Sequence, residues 1–185
     1  MRMKDSEQMK SKLDAIDRTM AIIEFQPDGT IVTANDNFCQ AMGYRLSEIV
    51  GQHHRIFMAP DEAQSREYAT FWQRLSNGEA FQDRFRRIAK SGDEIWIQAT
   101  YNPVFDENNN VVGVVKFATD VTAQTLRDLD AEGMMAAINR SFAVIEFELD
   151  GTVINANDNF CQTMGYGATE IQGKHHRQFV GESFV

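Results

Sequence analysis

The chain has 185 residues and a formal net charge of −9, with 43% hydrophobic and 24% charged residues. This length suits one or two domains of a globular protein, and the acidic balance argues against general nucleic-acid binding, which needs a basic surface. No apolar run reaches the ~18 residues of a membrane span, and the polar N-terminus lacks the apolar region of a signal peptide. We therefore expect a cytoplasmic protein with no direct membrane span.

The chain contains an internal repeat. Residues 20–57 and 142–179 align at a constant offset of 122 without gaps, and 24 of the 38 aligned positions are identical. Such self-similarity indicates two copies of one folding unit. Only the first copy is followed by enough residues to complete a domain. We therefore divide the chain into an N-terminal amphipathic helix (1–19), a complete domain (20–122), a helical linker (123–141) and the N-terminal part of a second, incomplete domain (142–185).

The first predicted element is a helix over 5–19. Met9, Leu13, Ile16 and Met20 recur at spacings of three and four, which places them in one narrow apolar stripe. A short helix with such a stripe needs a partner surface. That surface is either the sheet of its own domain or the same helix of another subunit.

The rest of the first unit alternates strands, short helices and one longer helix. The turn at 27–29 predicts a hairpin of 21–25 and 30–33, and short helical pieces follow as far as residue 57. A longer helix is predicted over 61–76. The last strands are predicted over 81–89, 94–102 (ending at Pro103) and 111–119.

The alternation in the strand over 94–102 predicts which side chains face the core. Ile95, Ile97, Ala99 and Tyr101 share one face, which we expect to point inward. Trp96 and Gln98 share the other face, which we expect a terminal helix to cover. The order of elements predicts an α+β unit: a five-stranded antiparallel sheet with short helices on one face and flanking N-terminal and linker helices.

This pattern resembles the PAS domain, a sensor module. The residues that carry the resemblance are the turn at 28–30, the stretch 34–38, Gly43-Tyr44, the segment 48–51, Trp72, the turn at 90–92, Asn102-Pro103 and the ending 117–122. The resemblance covers 20–122 fully and 142–185 in part. It implies the PAS fold, a small ligand held between the sheet and the short helices, and signalling through the terminal helices. Tandem units with the His-His-Arg motif resemble the input portion of bacterial chemotaxis and energy-taxis receptors.

The resemblance also points to a flavin, FAD or FMN. Arg55 falls where an arginine of flavin-binding PAS domains pairs with the cofactor's phosphate, and a planar guanidinium suits phosphate. His54 falls where light-sensing relatives carry a reactive cysteine, so thiol-adduct chemistry is not expected at this position. Trp72 matches a tryptophan of redox-sensing relatives. Tyr101 is the inward candidate to re-orient with the redox state, and Gln98 takes its place if the face assignment is off by one residue.

Haem b is the alternative cofactor, with His53 or His54 as the axial ligand. Adjacent residues of a helical turn point about 100° apart, so only one of the two histidines would face the iron. The third alternative is that the unit holds no cofactor. In that case the two histidines are surface or hydrogen-bonded residues, Arg55 forms a salt bridge and Trp72 is a core residue.

Several other residues have simpler interpretations. Asn37, a candidate cofactor contact, also suits a turn or helix-capping role. Arg86 and Arg87 are interpreted as solvated charges at the sheet or its rim. Cys39 and Cys161 occupy equivalent positions in the two copies and favour core residues over redox thiols. No catalytic motif is present, and we expect a protein that is not an enzyme.

Two functional hypotheses follow. In the first, the chain is a sensory input module that senses redox state or oxygen through a bound cofactor. It then signals to a chemotaxis-type, methyl-accepting signalling domain outside this chain. In the second, it is a cofactor-free interaction module that forms a homodimer through the N-terminal and linker helices.

Overall fold

The computed structural model describes residues 2–179, so the end of the predicted second domain, 180–185, lies outside the described residues. The chain divides into two units, 1–125 and 126–185. The first unit begins with helix α1 (Arg2–Thr19). Its five strands are β1 (Ala21–Phe25), β2 (Ile31–Ala34), β3 (Phe81–Ile88), β4 (Glu94–Phe105) and β5 (Val111–Asp120). Between β2 and β3 lie α2 (Asp36–Met42), α3 (Leu46–Ile49), a 3-10 helix (His54–Phe57), α4 (Pro60–Ala63) and α5 (Arg66–Ser76).

The five strands form one sheet in the order β2-β1-β5-β4-β3, and every neighbouring pair is antiparallel. The short helices between β2 and β3 cover one face of this sheet. The core between the two layers includes Phe25, Phe57, Leu75 and Tyr101, each no more than 1% exposed. The predicted α+β PAS fold is therefore confirmed, together with the inward face of β4.

Two predicted boundaries were wrong. The helix predicted over 61–76 is two helices, because the side chain of Ser65 accepts a hydrogen bond from the backbone N–H of Tyr68 and starts α5 afresh. The strand predicted to end at Pro103 continues to Phe105. Phe81, the first residue of β3, lies opposite Tyr101. The part of β4 beyond Tyr101 therefore pairs only with β5. Pro103, which has no backbone N–H, is tolerated there because this part of β4 is a sheet edge.

The apolar stripe of α1 is not covered by the sheet of its own unit. Met9 and Leu13 are both 58% exposed, and Ile16 is 39% exposed. The end of α1 is nevertheless tied to the unit, because the side-chain amides of Asn35 and Asn37 both donate to the backbone carbonyls of Asp17 and Met20. The helix is therefore anchored at its C-terminal end while its stripe remains free.

Helix α6 (Thr122–Ser141) contains the boundary between the two units. Its first residue extends the pairing of β5 with β4, because the backbone N–H of Trp96 donates to the Thr122 hydroxyl over 2.9 Å. The second unit then continues with β6 (Ile145–Phe147), β7 (Val153–Ala156), α7 (Asp158–Met164), α8 (Ala168–Ile171) and a 3-10 helix (His176–Phe179). No helix among residues 2–179 is both long and apolar enough to span a membrane.

The second unit repeats the local geometry of the first but has a small core. Asn157 caps α7 as Asn35 caps α2, and Asn159 donates to carbonyls at the end of α6 as Asn37 does to α1. Its buried hydrophobic residues are Val153, Cys161 and Ile171. Phe147, the counterpart of Phe25, is 42% exposed. The aromatic side chain that is buried in the first unit is thus open to solvent in the second.

Candidate functional site

The 3-10 helix of the first unit sends three consecutive side chains to three environments. His54 is fully buried, His53 is half-buried and Arg55 is exposed. His53 fixes the start of this helix, because its Nδ1 accepts the backbone N–H of Arg55 over 3.2 Å. The divergence follows from the geometry of a 3-10 helix, in which successive residues are rotated by about 120°. Only His54 therefore enters the core.

His54 lies between a tyrosine of the helical layer and a tyrosine of the sheet, and it is hydrogen-bonded to both. Its Nδ1 lies 3.0 Å from the hydroxyl of Tyr68 on α5, and its Nε2 lies 3.0 Å from the hydroxyl of Tyr101 on β4. Burial, followed by the positive charges of Arg87 and Lys116, lowers the pKa of His54 well below its ordinary value. The ring is therefore neutral, so one nitrogen donates a hydrogen bond and the other accepts one.

Two cations lie on the sheet side of this network. Arg87 on β3 is 5% exposed and donates from Nη2 to the Tyr101 hydroxyl over 3.1 Å. Lys116 on β5 is 1% exposed, and its Nζ lies 4.7 Å from the centre of the Tyr101 ring. Burial lowers the pKa of Lys116 to about 8. For Tyr101, burial acts to raise the pKa, but Arg87 and Lys116 outweigh it and the pKa is lowered. Tyr101 is thus the shared partner of three basic groups.

Aromatic rings enclose the network. The Trp72 ring lies edge-on to His54 and to Phe25, at centroid distances of 5.5 and 5.2 Å. Two buried donors nearby, the Trp72 indole N–H and the Nε–H of Arg87, have no hydrogen-bond acceptor among the described residues. A buried donor without an acceptor costs free energy, so such groups mark a place where a ligand or water would be stabilised.

A cleft reaches this network from the surface. It has a volume of about 290 Å³, close to the lower end of the range for small-molecule sites. Arg87 and Tyr68 lie on its inner side, and Phe71 and Phe85 supply aromatic walls. The remaining lining residues are Met58, Glu62, Ser65 and Glu67.

The structure brings together four of the seven predicted site residues: His53, His54, Trp72 and Tyr101. The rings of His53 and Trp72 lie 5.8 Å apart, and the Tyr68 hydroxyl lies 3.3 Å from Nδ1 of His53. The pKa of His53 is lowered, mainly by burial and then by the charge of Arg55. The centre of the site is therefore a cluster of aromatic and imidazole rings.

The other three predicted residues lie away from this cluster. Arg55 is exposed on the 3-10 helix, and Gln98 lies on the opposite face of β4 from Tyr101. Asn37 is bound to the backbone at the end of α1, over 2.9 Å to the carbonyl of Asp17. The structural role weighed for Asn37 thus has a hydrogen bond to support it, although its partner is the end of α1.

Sequence reasoning missed Tyr68, Arg87 and Lys116. The interpretation of Arg87 as a solvated charge was wrong, whereas its neighbour Arg86 is partly exposed and pairs with Glu62 and Glu94. The alternation of inward and outward side chains along a strand could have identified Arg87 and Lys116 as inward residues. Arg87 shares a face of β3 with Phe85, and Lys116 lies between the inward residues Val114 and Ala118 on β5.

Metal and thiol chemistry have little support in the described part of the chain. No group of three or more His, Cys, Asp or Glu side chains there is arranged to hold a metal ion. Both cysteines are free thiols, and burial, followed by the charge of Asp36, raises the pKa of Cys39. A raised pKa keeps the thiol protonated and less reactive.

A planar cofactor does not fit between the two layers as they pack here. The Tyr101 ring contacts His54 and Phe71 directly, at centroid distances of 5.8 and 5.0 Å, so no aromatic plane can lie between them. Haem b would need an open imidazole nitrogen, yet both nitrogens of His54 face tyrosine hydroxyls. The two nitrogens of His53 are likewise occupied, by the carbonyl of Asp28 and the N–H of Arg55. Binding of FAD, FMN or haem b stays a prediction.

Comparisons with known proteins assign both units of the chain to the same family. One model described as PAS fold matches residues 31–118, and a second, described as PAS domain, matches residues 141–184. The biofilm dispersion protein BdlA of Pseudomonas aeruginosa is 47% identical over 89% of this chain and 40% of its own length. The aerotaxis receptor of Escherichia coli is 31% identical over 52% of this chain and 19% of its own length. The chain therefore spans less than half of either relative.

A solved structure supports the fold. The crystal structure of the PAS domain of a protein from Colwellia psychrerythraea superposes with a TM-score of 0.54 at 22% identity. The match covers 62% of this chain and 98% of that domain. At this identity the likeness concerns the fold alone.

Proposed function

Because this chain belongs to the PAS family and carries two PAS units in tandem, we propose that it is a sensory input module of a chemotaxis-type receptor. The interior of the first unit receives the signal. The observation that carries this proposal is the buried network in which His54 joins Tyr68 of α5 to Tyr101 of the central sheet. A ligand that changes the partner of Tyr101 changes the bond between the two layers.

The sheet offers two routes from this network to the terminal helices. On one side, Asn35 on the loop after β2 holds the end of α1 through two backbone carbonyls. On the other side, Trp96 of β4 is hydrogen-bonded to Thr122 at the start of α6. A shift of the central strands would therefore reach both helices. In this proposal the output domain is of the methyl-accepting type implied by the resemblance to taxis receptors, and it lies outside this chain.

A chimeric receptor tests the proposal. The 185-residue chain replaces the sensory region of the aerotaxis receptor, and the tumbling bias of the cells is recorded as oxygen changes. We expect His54→Phe, which removes the hydrogen bond between the two layers as well as the one to Tyr68, to fix the bias at one value. His176→Phe in the second unit should leave the response intact. Equal responses from the two variants would contradict a sensory role for this interior.

The cofactor is tested separately by the absorption spectrum of the freshly purified protein. A flavin or a haem would give its own absorption bands, and the two layers would then have to separate from the packing seen here. A colourless protein that stays colourless after incubation with FAD, FMN and haem would exclude redox or oxygen sensing through those groups. The sensory proposal would then rest on a colourless ligand.

The exposed stripe of α1 supports a second candidate function, a homodimeric interaction module. Leu13 and Ile16 lie on this stripe and remain substantially exposed in the single chain. We expect a concentration-dependent dimer in sedimentation experiments that is lost in Leu13→Glu/Ile16→Glu. The matched control is Lys12→Glu, which changes charge off the stripe. A dimer that survives the double substitution would place the interface elsewhere.

A further inference from the structure

The first unit buries two cations without a carboxylate. Arg87 and Lys116 are at least 95% buried, and neither forms an ion pair with any acidic side chain in the described chain. Their contacts are with neutral groups: the carbonyl of Arg86, the Tyr101 hydroxyl and the rings of Phe85 and Tyr101. An uncompensated buried charge is strongly destabilising. The site therefore has a net positive charge that an anion would neutralise.

Arg87 also has a buried hydrogen-bond donor without an acceptor. Its Nη1 and Nη2 groups are used by the Arg86 carbonyl and by Tyr101, while its Nε–H has no acceptor within the described residues. The same side chain lines the 290 Å³ cleft. A carboxylate that reaches this guanidinium from the cleft would compensate its charge and give the unpaired donor an acceptor. Guanidinium and carboxylate are well matched in geometry.

The walls and rim of the cleft restrict the kind of anion. Met58, Phe71 and Phe85 give it apolar walls, which suit a hydrocarbon or aromatic body. Glu62 and Glu67 also line it, and Glu62 is already paired with Arg86 over 2.6 Å. A second negative charge on the ligand would be repelled by these carboxylates. The cleft thus disfavours dicarboxylates and phosphate and favours a single carboxylate on an apolar body.

We propose that the cleft beside Arg87 binds a small apolar monocarboxylate, with its carboxylate on the Arg87 guanidinium and its body between Phe71 and Phe85. This inference rests on the proposed sensory function and names the class of ligand that the first unit detects. Binding would neutralise the cluster around Tyr101 and compete for the Arg87 contact that now holds the Tyr101 hydroxyl. The ligand would thereby act on the bond between the helical layer and the sheet.

Calorimetric titration of the whole chain with benzoate tests this proposal. Benzyl alcohol has the same ring without the charge, and phthalate adds a second carboxylate. We expect benzoate to bind at least tenfold more tightly than either. Arg87→Gln should weaken benzoate binding at least tenfold, while Arg74→Gln, which removes an exposed ion pair with Glu79 outside the cleft lining, changes it less than twofold. Arg87→Lys keeps the positive charge but loses the planar guanidinium group, so this variant should bind benzoate with intermediate affinity.

The comparison of benzoate with benzyl alcohol needs no substitution, so it decides the matter even if the Arg87 variants do not fold. Failure of benzoate to bind, or equal binding of the neutral alcohol, would overturn the proposal. Unchanged affinity in a folded Arg87→Gln would also overturn it. These outcomes leave the sensory role standing if the chimeric receptor still responds through His54. Conversely, benzoate binding without any response of that receptor would uphold the site and refute the sensory function.

Discussion

Replacing Lys116 by methionine should stabilise the first unit. The side chain lies at an inward position of β5, is 1% exposed and has a pKa lowered from 10.5 to about 8, mainly by burial. That difference corresponds to about 3 kcal/mol of stability lost to the buried ammonium. Methionine has a similar length and no charge. Hydrophobic replacement of a poorly compensated buried charge is often stabilising.

The gain should depend on pH in a defined direction. Below pH 8 the ammonium is charged in both the folded and the unfolded chain, so the whole cost of about 3 kcal/mol is present. Between about pH 8 and pH 10.5 the folded unit releases the proton while the unfolded chain still holds it, and the cost fades. At pH 9.5 the advantage of Lys116→Met should therefore fall to about 1.4 kcal/mol.

Urea unfolding followed by tryptophan fluorescence measures this gain. Trp72 and Trp96 are the two tryptophans of the chain, and both lie in the first unit, so the signal reports on that unit alone. The matched control is Lys90→Met, an exposed lysine paired with Glu48, which should lose less than about 1 kcal/mol at either pH. A Lys116→Met protein less stable than wild type at pH 7, or a gain independent of pH, would refute the reasoning.

Substitutions at three further positions test the site and its anchor. His54→Ala removes one hydrogen-bond partner from each of two buried tyrosine hydroxyls and leaves a cavity in place of the ring. It should cost about 3 kcal/mol in the same assay, against less than about 0.5 kcal/mol for His176→Ala at the exposed counterpart. Because the pKa of His54 is lowered, wild-type stability should fall as pH drops below 6.5, and His54→Phe should remove that part of the acid sensitivity. Gly29→Ala would place a Cβ 2.7 Å from the Trp ring at a φ of +91°. It should cost clearly more than the roughly 1 kcal/mol of left-handed strain alone that is expected for Gly51→Ala at φ +77°, and equal losses would contradict the steric argument. Asn37→Ala should accelerate amide exchange at the end of α1 without moving the fluorescence transition by more than about 1 kcal/mol.

The fold could be predicted because its signals are local. The repeat, the turn residues and the alternation along β4 fixed the sheet, and Tyr101 was assigned inward from parity alone. The predicted break-free helix over 61–76 failed because a single serine hydroxyl, that of Ser65, can end one helix and start another. The continuation of β4 past Pro103 was missed because tolerance of proline depends on where the neighbouring strand ends.

The site could be predicted only in part because it depends on pairs of distant residues. His54 and Tyr101 are 47 residues apart in the chain, and their hydrogen bond exists only once the helical layer has closed over the sheet. Arg87 was misread because a charged residue on a short strand is usually solvated. The buried position of Lys116 was not predicted, for the same reason. In both cases the alternation along the strand places the charged residue on the same face as its apolar neighbours. That assignment conflicts with the usual preference of charged residues for water.

The unequal surroundings of the two His-His-Arg motifs give the chain an internal spectroscopic reference. Its four histidines all belong to these motifs, so imidazole proton spectra contain signals from only two related pairs. His54 is fully buried among aromatic rings, whereas His176 is open to water. One pH titration of unlabelled protein therefore compares the same side chain, with the same flanking residues, in both conditions within one sample. A ligand that enters the first unit would move one pair of signals and leave the other as its baseline.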